Sequence, residues 1–200
     1  MQHKTQKQPV HILGIPGSLR QNSYNRALLQ ATSAMLPSHA QLTIFDLHEI
    51  PLFNTDIEAK GIPEPVRQLR QHLQQADALL IATPEYNYSI PGVLKNALDW
   101  ASRAIPDPSP LNNKPVGIMG VGGGLGTVRA QMHLRDILLH NSTYVMPQPQ
   151  LMIARGWEHF DQNGNLISER YRQSLNKFIT AFLDWVYLFQ PAYQKQPTIA

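Results

Sequence analysis

The sequence predicts an α/β fold, a five-stranded parallel sheet with helices on both faces. Apolar runs of strand length alternate with segments of helical periodicity from residue 10 to residue 188. The first of those runs, Val10 to Ile15, suits a strand buried on both faces. The 200 residues, 42% of them hydrophobic, suffice for one domain and are short for two. The division expected is a polar N-terminal extension (1–9), a single domain (10–189) and a C-terminal tail (190–200).

The first strand is Val10 to Ile15, an apolar run that ends at Gly14 and Pro16. A helix follows from Asn25 to about Met35, with Ala27, Leu28, Ala31 and Met35 at helical spacing. Gln41 to Phe45 reads as the second strand, Pro65 to Gln75 as a helix, and Asp77 to Ala82 as the third strand. Pro91 to Ala104 carries a stripe of Val93, Leu94, Ala97, Leu98 and Ala101, and Pro91 suits a helix start, where a missing N–H costs nothing. Trp100 and, later, Trp185 lie on such apolar stripes and read as core. Pro115 to Met119 is the fourth strand, Thr127 to Leu139 a helix, and Thr143 to Met146 the fifth strand. The last helix presents Tyr171, Leu175, Phe178, Ile179, Phe182, Leu183 and Val186 on one face.

Composition excludes several chemistries. The chain has no cysteine, which removes disulfides, thiolate catalysis and iron–sulfur clusters. Its eight histidines lack metal-ligand spacing, so no metal site is expected. The net charge of +3 comes from dispersed basic residues, which argues against nucleic acid as a partner. No apolar run approaches the ~20 residues of a membrane span, and the polar start lacks a signal-peptide pattern, so a cytoplasmic protein is expected.

In open parallel sheets, ligands bind beyond the C-terminal strand ends, where the strand order reverses. Three loops fall there. The first, Gly17-Ser-Leu-Arg-Gln-Asn-Ser-Tyr-Asn25, opens a helix whose free amides and positive end suit an anion. Ser18, Arg20, Ser23 and Asn25 add side-chain donors. The loop matches neither the G-x-G-x-x-G of dinucleotide binders nor the lysine-bearing loop of NTPases, so a single terminal phosphate suits it better. The second, Thr83-Pro-Glu-Tyr-Asn-Tyr-Ser-Ile-Pro-Gly92, is stiffened by prolines at both ends. It could edge a flat heteroaromatic ring or simply pack its aromatics inward. The third, Gly120 to Thr127, is rich in glycine, which admits a ligand close to the backbone or serves as a hinge.

At these residues the chain resembles the NADPH-dependent FMN reductase family, a flavodoxin-like group that includes bacterial quinone, chromate and azo-dye reductases. The resemblance spans roughly residues 10 to 188. Gly17-Ser-Leu-Arg20 with Ser23 and Asn25 matches its phosphate loop. Thr83 to Gly92, continuing through Leu94-Lys-Asn-Ala-Leu-Asp-Trp100, matches its most specific signature. Pro16 before the first loop and the glycine-rich third loop depart from the common pattern.

The resemblance implies an FMN-binding, flavodoxin-like domain. Ser18, Arg20, Ser23 and Asn25 would hold the FMN phosphate, with Tyr24 counted among the cofactor-binding residues. Pro84, Glu85, Tyr86, Asn87 and Tyr88 would border the isoalloxazine, largely through backbone groups. Gly120, Gly122 and Gly123 would meet the ring's other end. NADPH or NADH would supply electrons to a small acceptor such as a quinone, chromate, an azo compound or free flavin, in a ping-pong cycle. No side chain is required as acid or base, so no catalytic residue is assigned. Family members are typically dimers or tetramers, so a homodimer or homotetramer is expected. A carrier flavodoxin and a non-catalytic flavin-binding module are the alternatives. Carrier flavodoxins are usually acidic, and a pI near 9.2 opposes that reading.

Overall fold

A computed structural model describes residues 9–193. Residues 1–8 and 194–200, and with them most of the expected extension and tail, lie outside the described residues. The elements run β1 (Val10–Pro16), α1 (Tyr24–Met35), β2 (Ala40–Ile44), α2 (Thr55–Glu58), α3 (Glu64–Gln75), β3 (Ala78–Ala82), α4 (Gly92–Ala101), β4 (Pro115–Val121), α5 (Val128–His140), β5 (Tyr144–Val145), β6 (Leu151–Ile153) and α6 (Glu169–Tyr193).

The strands pair in the order β2-β1-β3-β4-β5, and each of these pairings is parallel. The central strands β3 and β4 are buried at every position, which accounts for their unbroken apolar runs. Each face of the sheet carries its own core. On one, Ala27 and Leu28 of α1 meet Leu175, Phe178 and Phe182 of α6. On the other, Leu69 and Leu73 of α3, Leu94 and Leu98 of α4, and Leu134 and Leu138 of α5 pack together. The flavodoxin-like, five-stranded parallel sheet with helices on both faces expected from the sequence is therefore present.

Buried polar groups are held in place by backbone partners. Trp100 is fully buried and donates its indole N–H to Pro51 O at 2.8 Å. Arg70 donates to the carbonyls of Ala101, the last residue of α4, and Arg103 just past it, where carbonyls lack intrahelical partners. Lys114 is fully buried with Nζ 2.6 Å from Ala76 O.

Two elements differ from expectation. Of the predicted strand Thr143–Met146, only Tyr144 and Val145 pair, opposite Pro115 and Val116. Pro147 and Pro149 then lack the N–H groups a ladder needs. Pairing with β4 resumes in β6, where Leu151–Ile153 run alongside Met119–Val121. The last helix is longer than its apolar face indicated and continues to Tyr193, past the expected start of the tail.

This topology fixes the site. β1 lies between β2 and β3, so the chain leaves it to one side first and returns on the other. The loops after β1 and β3 therefore diverge around a crevice at the C-terminal strand ends, with the loop after β4 beside them.

Candidate active site

The loop after β1 begins with Gly17, whose N–H donates to Ala82 O at 2.8 Å. A side chain there would press on Thr83, Pro84 and Leu94 at 3.2–3.3 Å. Ser23 caps α1, its hydroxyl accepting from the Arg26 N–H at 3.4 Å. The N–H groups of Tyr24 and Asn25, in the first turn, have no intrahelical carbonyl to meet. Arg20 is exposed and forms no ion pair among the described residues, whereas Arg26 is paired with Asp46. Together with Asn22, Ser23, Tyr24 and the turn Asp161–Gly164, these residues line a cavity of about 590 Å³. Hydrogen bonds from Asn165, followed by one from the Asn163 N–H, hold the Asp161 carboxyl below the usual carboxylate range.

Two candidates in this loop are engaged inside the protein. The buried Asn25 amide exchanges hydrogen bonds of 2.9 Å with both the N–H and the C=O of Val121. The buried Ser18 hydroxyl is 3.2 Å from the Tyr86 hydroxyl and accepts from the Arg20 N–H at 3.3 Å. Both side chains tie the loop after β1 to its neighbours. The Tyr24 ring packs on Phe160, centroid to centroid 5.4 Å.

The loop after β3 makes a tight turn. Tyr86 and Ser89 exchange backbone hydrogen bonds of 3.0 Å, and Asn87 and Tyr88 between them have φ of 49° and 63°. Asparagine enters this left-handed region readily, but for an aromatic residue it stores of order 1–3 kcal/mol of strain. The Tyr88 ring is 64% exposed, so burial of the ring does not hold the turn. The inward-packed alternative for these aromatics is thus set aside, since Tyr86 is also 47% exposed.

Glu85 performs a task that the sequence does not disclose. One carboxylate oxygen accepts from the N–H groups of Arg129 and Ala130, at 2.8 and 3.1 Å, and so caps α5 from another loop. Thr127, at the N-cap position, makes no capping bond of its own, because its hydroxyl accepts from Gln131 Nε2. The guanidinium of Arg129 lies 4.0 Å above the Tyr88 ring and 3.9 Å from the second Glu85 oxygen. Ser89 Oγ lies 3.0 Å from His133 Nδ1 on the same helix.

The glycines after β4 divide into two kinds. A Cβ on Gly120 would sit 2.4 Å from Thr83 O, and one on Gly122 would sit 2.1 Å from Gly126 O. Those two are demanded by the protein's own packing. Gly123 and Gly124 face open space, where a Cβ meets nothing within 4 Å. They border a cavity of about 480 Å³ together with Glu85, Asn87, Tyr88, Leu125 and Gly126. Leu125 and Gly126 lie in the loop that the sequence singles out but are not among the cofactor-binding residues expected there. The signal available was a single leucine among glycines, here 63% exposed at the mouth of the cavity.

The residues present fit a flat ligand with an anionic end. Free helix amides and a guanidinium stand at one end, and at the other a slot is bounded by an exposed aromatic turn and glycines without side chains. Fold and site together place the protein in the flavodoxin-like class of α/β proteins, with a cleft suited to such a ligand. Comparison with known proteins makes this specific. The sequence model of the NADPH-dependent FMN reductase family matches residues 10–158. An NAD(P)H-dependent FMN reductase from Pseudomonas aeruginosa is 43% identical over 178 residues, covering 88% of this chain and 95% of that protein. A 2-hydroxy-1,4-benzoquinone reductase from a Burkholderia species is 40% identical, covering 86% of this chain and 93% of that one. Among solved structures, the flavoenzyme NAD(P)H:(acceptor) oxidoreductase FerB from Paracoccus denitrificans superposes with a TM-score of 0.80 at 31% identity, covering 90% of this chain and 98% of that one. The chain belongs to the NADPH-dependent FMN reductase family.

Proposed function

We propose that this protein binds FMN and passes electrons from NADPH or NADH to a small acceptor, with quinones as the leading class. Residues 10–189 act as one unit in this reading. The observation that carries it is the placement of the two cavities, one at the anion-binding start of α1 and one between Tyr88 and Gly124, at the switch point of the sheet. Names carried by the relatives, a benzoquinone reductase among them, favour the same acceptor class.

Bound FMN would supply a two-electron carrier that accepts hydride from the nicotinamide and yields electrons to the acceptor. The chain's own work is binding and orientation. Arg20, Ser23 and the first-turn amides of Tyr24 and Asn25 hold the phosphate, with Ser18 shaping the loop. Pro84, Glu85, Tyr86, Asn87 and Tyr88 border the ring on one side, and Gly123 on the other. Gly120 and Gly122 let the third loop close tightly enough to reach it. No side chain is assigned a proton. Chromate, azo compounds and free flavin would use the same open face.

Donor and acceptor share one slot in this reading, so they bind in turn. Anaerobic NADPH or NADH should bleach the yellow protein, and a quinone added afterwards should restore the colour. Double-reciprocal plots at several quinone concentrations should be parallel. Intersecting lines would overturn the shared slot, and a protein that neither bleaches nor turns over would overturn the whole reading.

The expected cytoplasmic homodimer or homotetramer belongs to the same proposal. Val128, Met132 and Leu139 leave α5 with an exposed apolar stripe that supports self-association. No helix among the described residues is long and apolar enough to cross a membrane.

A further inference from the structure

We infer that Glu85 and Arg129 are positioning residues that set the width of the ring slot, a role resting on the functional reading above. The slot has two walls. One is the turn Asn87–Tyr88; the other is the turn Gly123–Gly126, which leads through Thr127 directly into α5. The walls come from different strands, and the exposed Tyr88 ring contributes little packing of its own to hold them in register.

Three contacts join the first wall to the helix that carries the second. The Glu85 carboxylate accepts from the Arg129 and Ala130 N–H groups, 44 and 45 positions away in sequence. Arg129 lies over the Tyr88 ring at 4.0 Å, on the aromatic residue that adopts φ 63°. Ser89 Oγ meets His133 Nδ1 at 3.0 Å one turn further along. A helix start is a rigid reference, and two amide donors define the position of the carboxylate in two directions. Because α5 has no cap of its own from Thr127, removal of Glu85 frees both the turn and the first helical residues. The slot then widens, and a flat acceptor loses contact with one wall.

The side chain of Glu85 acts here through its oxygen as an acceptor, and the amide oxygen of glutamine can accept the same two N–H groups. Glu85→Gln should therefore keep the slot, and Glu85→Ala should lose it. The FMN-loaded wild type and both variants are assayed at saturating NADPH with two acceptors, a naphthoquinone that must enter the slot and ferricyanide that need only approach the ring edge. For Glu85→Ala the naphthoquinone KM should rise roughly 10-fold, the equivalent of about 1.4 kcal/mol, and by clearly more than the ferricyanide KM. Glu85→Gln should recover most of the naphthoquinone KM lost in Glu85→Ala. Amide hydrogen exchange across residues 85–90 should accelerate in Glu85→Ala and return to the wild-type rate in Glu85→Gln. An unchanged naphthoquinone KM, a parallel loss with both acceptors, or a failure of glutamine to restore the exchange rate would overturn the inference. A wild type inactive with both acceptors would overturn the functional reading instead, and the exchange rates would still decide whether Glu85 holds the turn.

Discussion

The side-chain amide of Asn25, at the start of α1, is bonded through both its oxygen and its nitrogen to the backbone of Val121, at the end of β4. These residues are 96 positions apart, and their pairing holds the loop after β1 against the strand that leads into the glycine turn. One asparagine thus ties together the loops that border the two cavities. Asn25→Ala removes two hydrogen bonds and leaves a buried N–H and C=O without partners. Unsatisfied buried groups cost about 1–3 kcal/mol each. The variant should lose stability of that order in denaturant unfolding and bind FMN more weakly. A variant as stable as the parent would show that water or backbone movement replaces both bonds.

Arg20 should govern affinity and leave the chemistry alone. It is exposed in the cavity proposed for the phosphate and does not line the cavity proposed for nicotinamide and acceptor. Hydrogen bonds to charged groups contribute roughly 1.5–3 kcal/mol each. FMN should therefore bind orders of magnitude more tightly than riboflavin, and Arg20→Ala should narrow that gap while turnover at saturating FMN stays near normal. Titration that finds equal affinity for the two ligands would remove the phosphate assignment.

The two kinds of glycine give opposite outcomes. Gly122→Ala drives a Cβ to 2.1 Å from Gly126 O, so the third loop must break, and melting temperature should fall. Gly123→Ala places its methyl in open space and should fold normally. That methyl enters the slot, so flavin affinity or acceptor KM should suffer without a change in stability. Thermal melts of both apoproteins, followed by flavin titration, separate packing from ligand contact. Normal flavin affinity and normal kinetics in Gly123→Ala would move the ring elsewhere.

Lys114 predicts a pH dependence of stability. Burial pushes its ammonium down to about 8 from the ordinary 10.5, with Asp77 opposing the shift. Between those values the unfolded chain holds more protons than the folded one, so this residue makes stability rise as pH rises. Below about 8 both states are protonated, and the folded protein carries the full cost of burying the charge. Denaturation at intervals between about pH 7 and pH 10 should show a steeper upward trend for wild type than for Lys114→Met. Identical slopes would mean that the amine titrates alike in both states.

The legible parts of the sequence were those governed by local pattern. Ala78-Leu-Leu-Ile-Ala82 is apolar throughout because both of its faces are covered, and that is visible in five letters. The three loops were found because topology assigns them to one end of the sheet. Leu151–Ile153 was missed because three residues beside two prolines carry no periodicity, and only β4 makes them a strand. Glu85 was placed at the site but not in its role. Its partners, Arg129 and Ala130, contribute backbone N–H groups, which leave no trace in residue identity. Ser18 and Asn25 are expected from the sequence among the phosphate donors, and the sequence does not show that their side chains also meet Tyr86 and Val121.

The division of the outer strand into β5 and β6 has a consequence for life at high concentration. An unbroken edge strand offers a row of unpaired N–H and C=O groups on which another chain can add, and this is a common route to aggregation. Here the border beyond β4 consists of a two-residue and a three-residue piece, separated by a segment containing Pro147 and Pro149. No stretch of that border is long enough to template a further strand. The sheet is closed to growth on this side, where Trp185, Arg135 and Gln131 already donate to the carbonyls of Tyr144, Met146 and Leu151, so copies of the protein that meet here must associate through side chains, not by extending the ladder.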